Sequence, residues 1–271
     1  MAPLTALATA DDTPLQAVQF WRYLTSALLL GVVATRARRA SGSVVPAPWR
    51  SPGLTLLGGG AQFAVASLSL SALRFLPAAT IGFLFYTFPA WVTLGSAARG
   101  AERLTLRRVV ALACALGGIT AMVGAPASAT MSPVGVGLAL SAAIVYAVYI
   151  PVMGARQRGL PPLGVAHAVA IGGTWWFLVW CLATGALAPL PSPPAIGLSL
   201  TMGVLTAFAF HGLLEGLAGL GAVRTAITST VEPLWTALLG VVLLGEPLGA
   251  GTLIGGAGVL VAVVLLSLRE R

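Results

Sequence analysis

The stretch TSTVEPLWTALLGVVLLGEPL, Thr228–Leu248, decides how this chain must be read. From Ala237 to Gly245 it is as apolar as a lipid-facing helix. Yet Glu232-Pro233 lies inside it, and a second pair, Glu246-Pro247, closes it. A carboxylate and a helix breaker in such a run need a physical reason.

The composition around it identifies the solvent. Of 271 residues, 58% are hydrophobic and 8% charged, whereas a soluble domain carries about 25% charged residues. Apolar runs of ~18–24 residues recur, each long enough to cross ~30 Å of hydrocarbon as a helix. Backbone groups in lipid must be satisfied internally, which runs of this length achieve as helices. The ~10-residue alternation of a membrane barrel is not seen. The expected fold is an all-α polytopic membrane protein with nine spans. They are Leu15–Thr35, Gly53–Leu73, Ala78–Ala97, Val109–Ala125, Val134–Gly154, Leu163–Ala186, Ile196–Leu217, Arg224–Leu244 and Gly249–Leu268. The opening MAPLTALATADDTPL lacks the basic start and apolar core of a signal peptide. Cys114 and Cys181 fall in separate spans and are expected to pack as small hydrophobes.

The net charge of +8 comes with fifteen basic residues, all arginine. Thirteen of them, all but Arg22 and Arg74, lie on one set of alternate loops and at the C-terminus. The loops Pro126–Pro133, Leu187–Pro194 and Gly245–Leu248 have none. This asymmetry places the arginine-rich side and the C-terminus in the cytoplasm. The charge therefore reports topology, and no nucleic-acid partner is expected. The expected partners are the lipid bilayer and a small molecule, with a homodimer left open.

Shifted by 144 residues, the chain falls on itself: Leu73–Leu104 aligns with Leu217–Leu248. Pro89 meets Pro233, Trp91 meets Trp235, Glu102 meets Glu246 and Leu104 meets Leu248. A Pro-x-Trp followed by Glu-x-Leu at matched spacing is hard to obtain by chance. A further register, offset by 148, sets Pro14–Val18 on Pro162–Ala166. The chain is thus two related halves, 1–127 and 134–271, with four and five spans. Five spans is odd, so consecutive units cross in opposite senses, as inverted repeats do. On this reading Met1–Thr13 is the stub of a first helix that is lost or lies upstream.

FPAWV…GAERL and STVEPLWTALLGVVLLGEPL resemble the two half-repeats of the EamA type in the drug/metabolite transporter superfamily. QFWRYLTSALLL, with Arg22, is similar to that family's second helix, and GLAGLGAVRTAI to the turn into its ninth. The resemblance covers nearly the whole chain and implies a ten-helix fold here missing helix one. It also implies a secondary transporter with its substrate cavity between the repeats, usually an exporter of amino acids, metabolites or drugs.

A charge near a helix centre costs about 2.5–3.5 kcal/mol on insertion scales. Pro233 and Pro89 each withhold a donor from the preceding turn. Either Glu232 faces a cavity lined by two kinked helices, or it is bonded to a neighbour and fixes the kink. Thr228, Glu232 and Trp235 share a face by i, i+4, i+7 spacing, as do Phe208, His211 and Glu215 at i, i+3, i+7. His211 and Glu232 lie at similar expected depth, where a proton relay is conceivable, although a satisfied core histidine serves equally. Tyr86 and Tyr146 sit mid-span and need a polar partner or a wet cavity. Most of Phe83, Phe85, Tyr149, Trp175, Trp176 and Trp180, which cluster with them, are better read as lipid-facing or interfacial. Pro151 is a hinge candidate, and Gly58, Gly59 and Gly60 suit close helix contact. An embedded enzyme is disfavoured. There are two histidines on different helices, with no HExxH, no paired carboxylates and no GxSxG, and no cofactor is expected. A truncated remnant or a structural membrane subunit is the alternative to a transporter. The arginine-only, Ala- and Gly-rich usage points to a bacterial plasma membrane.

Overall fold

The computed structural model describes residues 4, 8, 13–41, 51–76, 78–100, 105–123, 132–187, 192–232 and 250–267. All regular structure among them is helical. In chain order the elements are α1 (Leu15–Ser41), α2 (Gly53–Ala72), α3 (Ala78–Phe85), α4 (Phe88–Ala98), α5 (Leu106–Val123) and α6 (Pro133–Arg156). They continue with α7 (Pro162–Thr184), α8 (Pro193–Leu220), α9 (Ala222–Thr228) and α10 (Ala250–Ser267). Among the described residues six helical segments are long and apolar enough to span a bilayer, with α3 and α4 together counted as one, Thr80–Ala98. The other expected spans correspond to α5, to α10 with its apolar run Leu253–Leu265, and to α9, whose sequel 233–249 lies outside the described residues. Glu246-Pro247 lies there too.

Helix limits follow local chemistry. α1 starts behind Pro14, whose carbonyl accepts from Ala17 and Val18 at 2.9 and 3.2 Å. It outruns its expected end at Thr35 because Ala and Arg favour helix, and nothing interrupts it before Ser41. α7 ends in a left-handed Gly185 (φ 66°), with the Ala186 amide donating to Cys181 O at 3.0 Å. α6 runs unbroken through Pro151.

The chain forms two compact units. The first comprises Met1–Ala64 and Val152–Gly219, the second Val65–Pro151 and Leu220–Arg271. In the first unit α1 packs along α7, and α7 packs on the opening of α2. That opening, Gly53–Gly58, is a π-helix. Small residues bring the backbones together: a Cβ on Gly59 would meet Gly172 and Gly173 backbone, and one on Gly172 would meet the Thr55 carbonyl. The three-glycine run of α2 is therefore a packing device, as its composition suggested. The Trp176 indole donates to Leu56 O in the π segment at 3.1 Å, and Gln157 Nε2 donates to Leu214 O at 2.9 Å.

In the second unit α5 packs extensively on α10. Here Gly118 lies against Gly255 O and Val259, and Gly251 against Ala121 O. α4 packs on α9, and α3 on α5. By the register of the internal repeat, α1 matches α7, α4 matches the segment after α9, and α5 matches α10. Each unit thus combines matching helices from both halves of the sequence, the arrangement of an inverted repeat.

α8 passes into α9 through Gly221 at φ 80°, ψ 175°, a region essentially reserved for glycine. Gly221→Ala is expected to cost about 1–3 kcal/mol. Thermal unfolding in detergent checks this, and an unchanged midpoint contradicts it.

Candidate functional site

The expected single span Ala78–Ala97 is interrupted. α3 stops at Phe85, Tyr86 and Thr87 form a turn, and α4 restarts with Pro89 in its first turn. The proline is therefore at the start of a new helix, where its missing N–H costs nothing. Thr87 satisfies the break: its hydroxyl donates to Leu84 O at 2.7 Å and accepts from the Trp91 indole at 3.2 Å.

The second repeat breaks within one residue of the matching position. α9 ends at Thr228, Ser229 and Thr230 form a turn, and helical geometry resumes at Val231 and Glu232. The Thr230 hydroxyl donates to Ile227 O at 2.6 Å, the same i to i−3 closure as Thr87 on Leu84 but one residue earlier in the repeat register, and the Ser229 hydroxyl donates to Thr225 O at 2.9 Å. Pro233 and Trp235 lie outside the described residues. Thr228 is the half-buried last residue of α9.

At these two breaks the second unit gathers polar and aromatic groups. Tyr86 is hydrogen-bonded to the Glu232 carboxylate, the phenol donating. Phe85, Phe88 and Tyr146 surround it: Tyr146 stands edge-on to Phe88 at 4.8 Å and tilted against Phe85 at 5.4 Å. Tyr149, one turn away on α6, stacks on Tyr146 at 5.7 Å. Phe88 is buried, Tyr86 and Tyr146 are half-buried, and Glu232 is exposed. The structure thus unites Tyr86, Tyr146 and Glu232, which the sequence offered only as separate mid-span polar residues.

The internal repeat sets Glu232 opposite Phe88. The first repeat makes a similar turn, closed by a threonine one residue later in register, beside a buried phenylalanine. A carboxylate is therefore not a requirement of the break. What it adds is an ionisable oxygen pair held by a phenol at the lip of an aromatic cluster, able to take a proton or to bind a cationic or hydroxyl group.

His211 and Arg22 belong to the first unit. His211 Nε2 lies 3.9 Å from Glu215 Oε1 on its own helix, while its buried Nδ1 has no hydrogen-bond partner among the described residues. Arg22 Nε donates to Thr206 Oγ1 at 2.7 Å, and its Nη1 donates to Gln19 Oε1 at 3.2 Å. Neither Gln19 nor Thr206 stands out in the sequence, because neutral polar residues recur along apolar spans. Arg22 distinguishes them, reaching Thr206 across 184 residues and Gln19 from one turn away on its own helix.

The chain matches the EamA-like transporter family over residues 2–124 and 133–268, one match in each half. A solved structure, described only as that of a protein, superposes with a TM-score of 0.79 at 21% identity, over 97% of this chain and 93% of that one. At that identity the likeness speaks for the fold. No curated protein matches significantly.

Proposed function

Because the chain belongs to the EamA-like transporter family, and is a multi-pass membrane transporter of the drug/metabolite superfamily, we propose that it exports a small metabolite, amino acid or drug across the plasma membrane. The C-terminus is cytoplasmic in this reading, as the arginine distribution requires. Glu232 is the residue that couples or binds. The observation that supports this is the Tyr86–Glu232 hydrogen bond at a helix break that the other repeat builds without a carboxylate. Tyr86 positions the carboxylate, and Tyr146 supplies a half-buried phenol beside it. The repeated breaks give non-helical backbone at membrane depth, which is tolerated where protein or water satisfies it. His211, beside Glu215, is a second titratable candidate, in the other unit.

The test is untargeted profiling of culture medium from cells that do or do not express the chain. One or more compounds should accumulate outside only with expression, and fall inside in proportion. An unchanged medium, with the protein present in the membrane, would contradict export and favour a structural subunit that does not transport.

A further inference from the structure

Thr206 stands about midway along the 28-residue α8, roughly 20 Å from either end at ~1.5 Å per residue. Arg22 Nε lies 2.7 Å from its hydroxyl, so a guanidinium sits at the level of the helix midpoint. A cation there is costly and ordinarily has a counter-charge. Arg22 has only neutral partners among the described residues: Thr206, Gln19 and the face of Tyr23, whose centroid is 5.4 Å from Cζ. The Thr206 hydroxyl spends its own proton on Met202 O at 2.8 Å, which fixes its lone pairs towards the guanidinium.

These partners are buried. Gln19 and Thr206 are 3% and 1% exposed, while Arg22 itself is only half-buried. A guanidinium has five donors, and two are spent here. One turn further along α1 lies Ser26, wholly buried, its hydroxyl without a hydrogen-bond partner among the described residues. Tyr23 packs between Phe177 at 5.0 Å and Phe210 at 5.8 Å, which puts an apolar wall beside the charge.

We propose that Arg22 anchors an oxyanion site, and that the transported molecule carries a carboxylate or a phosphate group. This rests on the transporter reading above and names its substrate class. The planar fork of arginine pairs with two oxygens at once, and the half-buried guanidinium, held in place by the buried Gln19 and Thr206, keeps donors to spare for them. A cationic substrate would be repelled, and a neutral one would leave the charge unmatched.

The experiment uses the full chain purified in detergent at constant ionic strength. Thermal unfolding is followed by tryptophan fluorescence while benzoate or inorganic phosphate is titrated, with benzamide as the uncharged counterpart of benzoate. At least one anion should raise Tm, and benzamide should not. Arg22→Gln should weaken that anion about ten- to hundredfold, as expected for loss of a charge-assisted hydrogen bond. Arg22→Lys, which keeps the charge and loses the fork, should fall between. A stronger effect of benzoate assigns a carboxylate, and a stronger effect of phosphate a phosphate-bearing compound. Should Arg22→Gln fail to fold, the benzoate–benzamide contrast and the phosphate titration on the unaltered chain still decide. Stabilisation by neither anion, equal stabilisation by benzamide, or full retention in Arg22→Gln overturns the assignment. If the anion effect is missing while Glu232-dependent export persists, this site alone is wrong. If anions bind and nothing is exported, the transport reading is the one that fails.

Discussion

Gly172→Leu is expected to yield no monodisperse folded protein, and Gly172→Ala to lower stability by about 1–3 kcal/mol, the usual cost of overpacking. A Cβ on Gly172 would fall on the Thr55 carbonyl and close to Gly59, and one on Gly59 would fall on Gly172 and Gly173. These are backbone atoms of two crossing helices, so no rotamer change relieves the clash. In lipid, helices associate through such close packing rather than through a hydrophobic driving force. Losing it therefore separates α2 from α7. Size-exclusion elution and thermal unfolding of the purified variants check the result. A Gly172→Leu chain that elutes and melts like the parent contradicts the packing account. Gly82, beside which an added Cβ meets nothing within 4 Å, is the matched control, and its alanine variant should behave as the parent does.

Glu232→Gln should reach the membrane in the parent's amount and lose transport about tenfold or more, the scale of one charge-assisted hydrogen bond. Glutamine keeps the size of the side chain and an acceptor oxygen for Tyr86, but it has no charge and takes up no proton. Folding should survive because the first repeat closes the equivalent turn with Thr87 and a buried Phe88. Tyr86→Phe should give a smaller loss: the carboxylate remains, without the phenol that positions it. Membrane abundance and initial efflux rate, measured on the same cells, separate the two effects. A Tyr86→Phe loss larger than that of Glu232→Gln would assign the chemistry to the phenol instead.

Much of the architecture was legible in the residues. Apolar run length locates the helices, because hydrocarbon thickness sets it, and the recurrence of Pro-x-Trp with Glu-x-Leu exposes the repeat. Tyr86, Tyr146 and Glu232 were each visible as polar groups with no business in lipid. Their meeting was not, since it depends on how α3, α6 and the residues after α9 pack, and helical periodicity carries no information on partners. The nature of the break was hidden too. A proline inside a helix and one in the first turn of a new helix look alike in sequence, and the threonine hydroxyl that closes the turn decides between them. Nothing local marks Gln19 and Thr206. The relay suggested for His211 with Glu232 rested on matched depth alone. Within the first unit His211 stands beside Glu215, and within the second Glu232 stands with Tyr86.

The most direct test of the central claim compares the medium of cells expressing the parent chain, Glu232→Gln and Glu232→Phe at equal membrane abundance. The last variant places in the second repeat the residue that the first repeat already uses at the matching position. The account predicts that a compound accumulating outside with the parent chain falls to the background of non-expressing cells with both variants. Export that persists with Glu232→Phe would contradict it and leave the carboxylate as part of the turn.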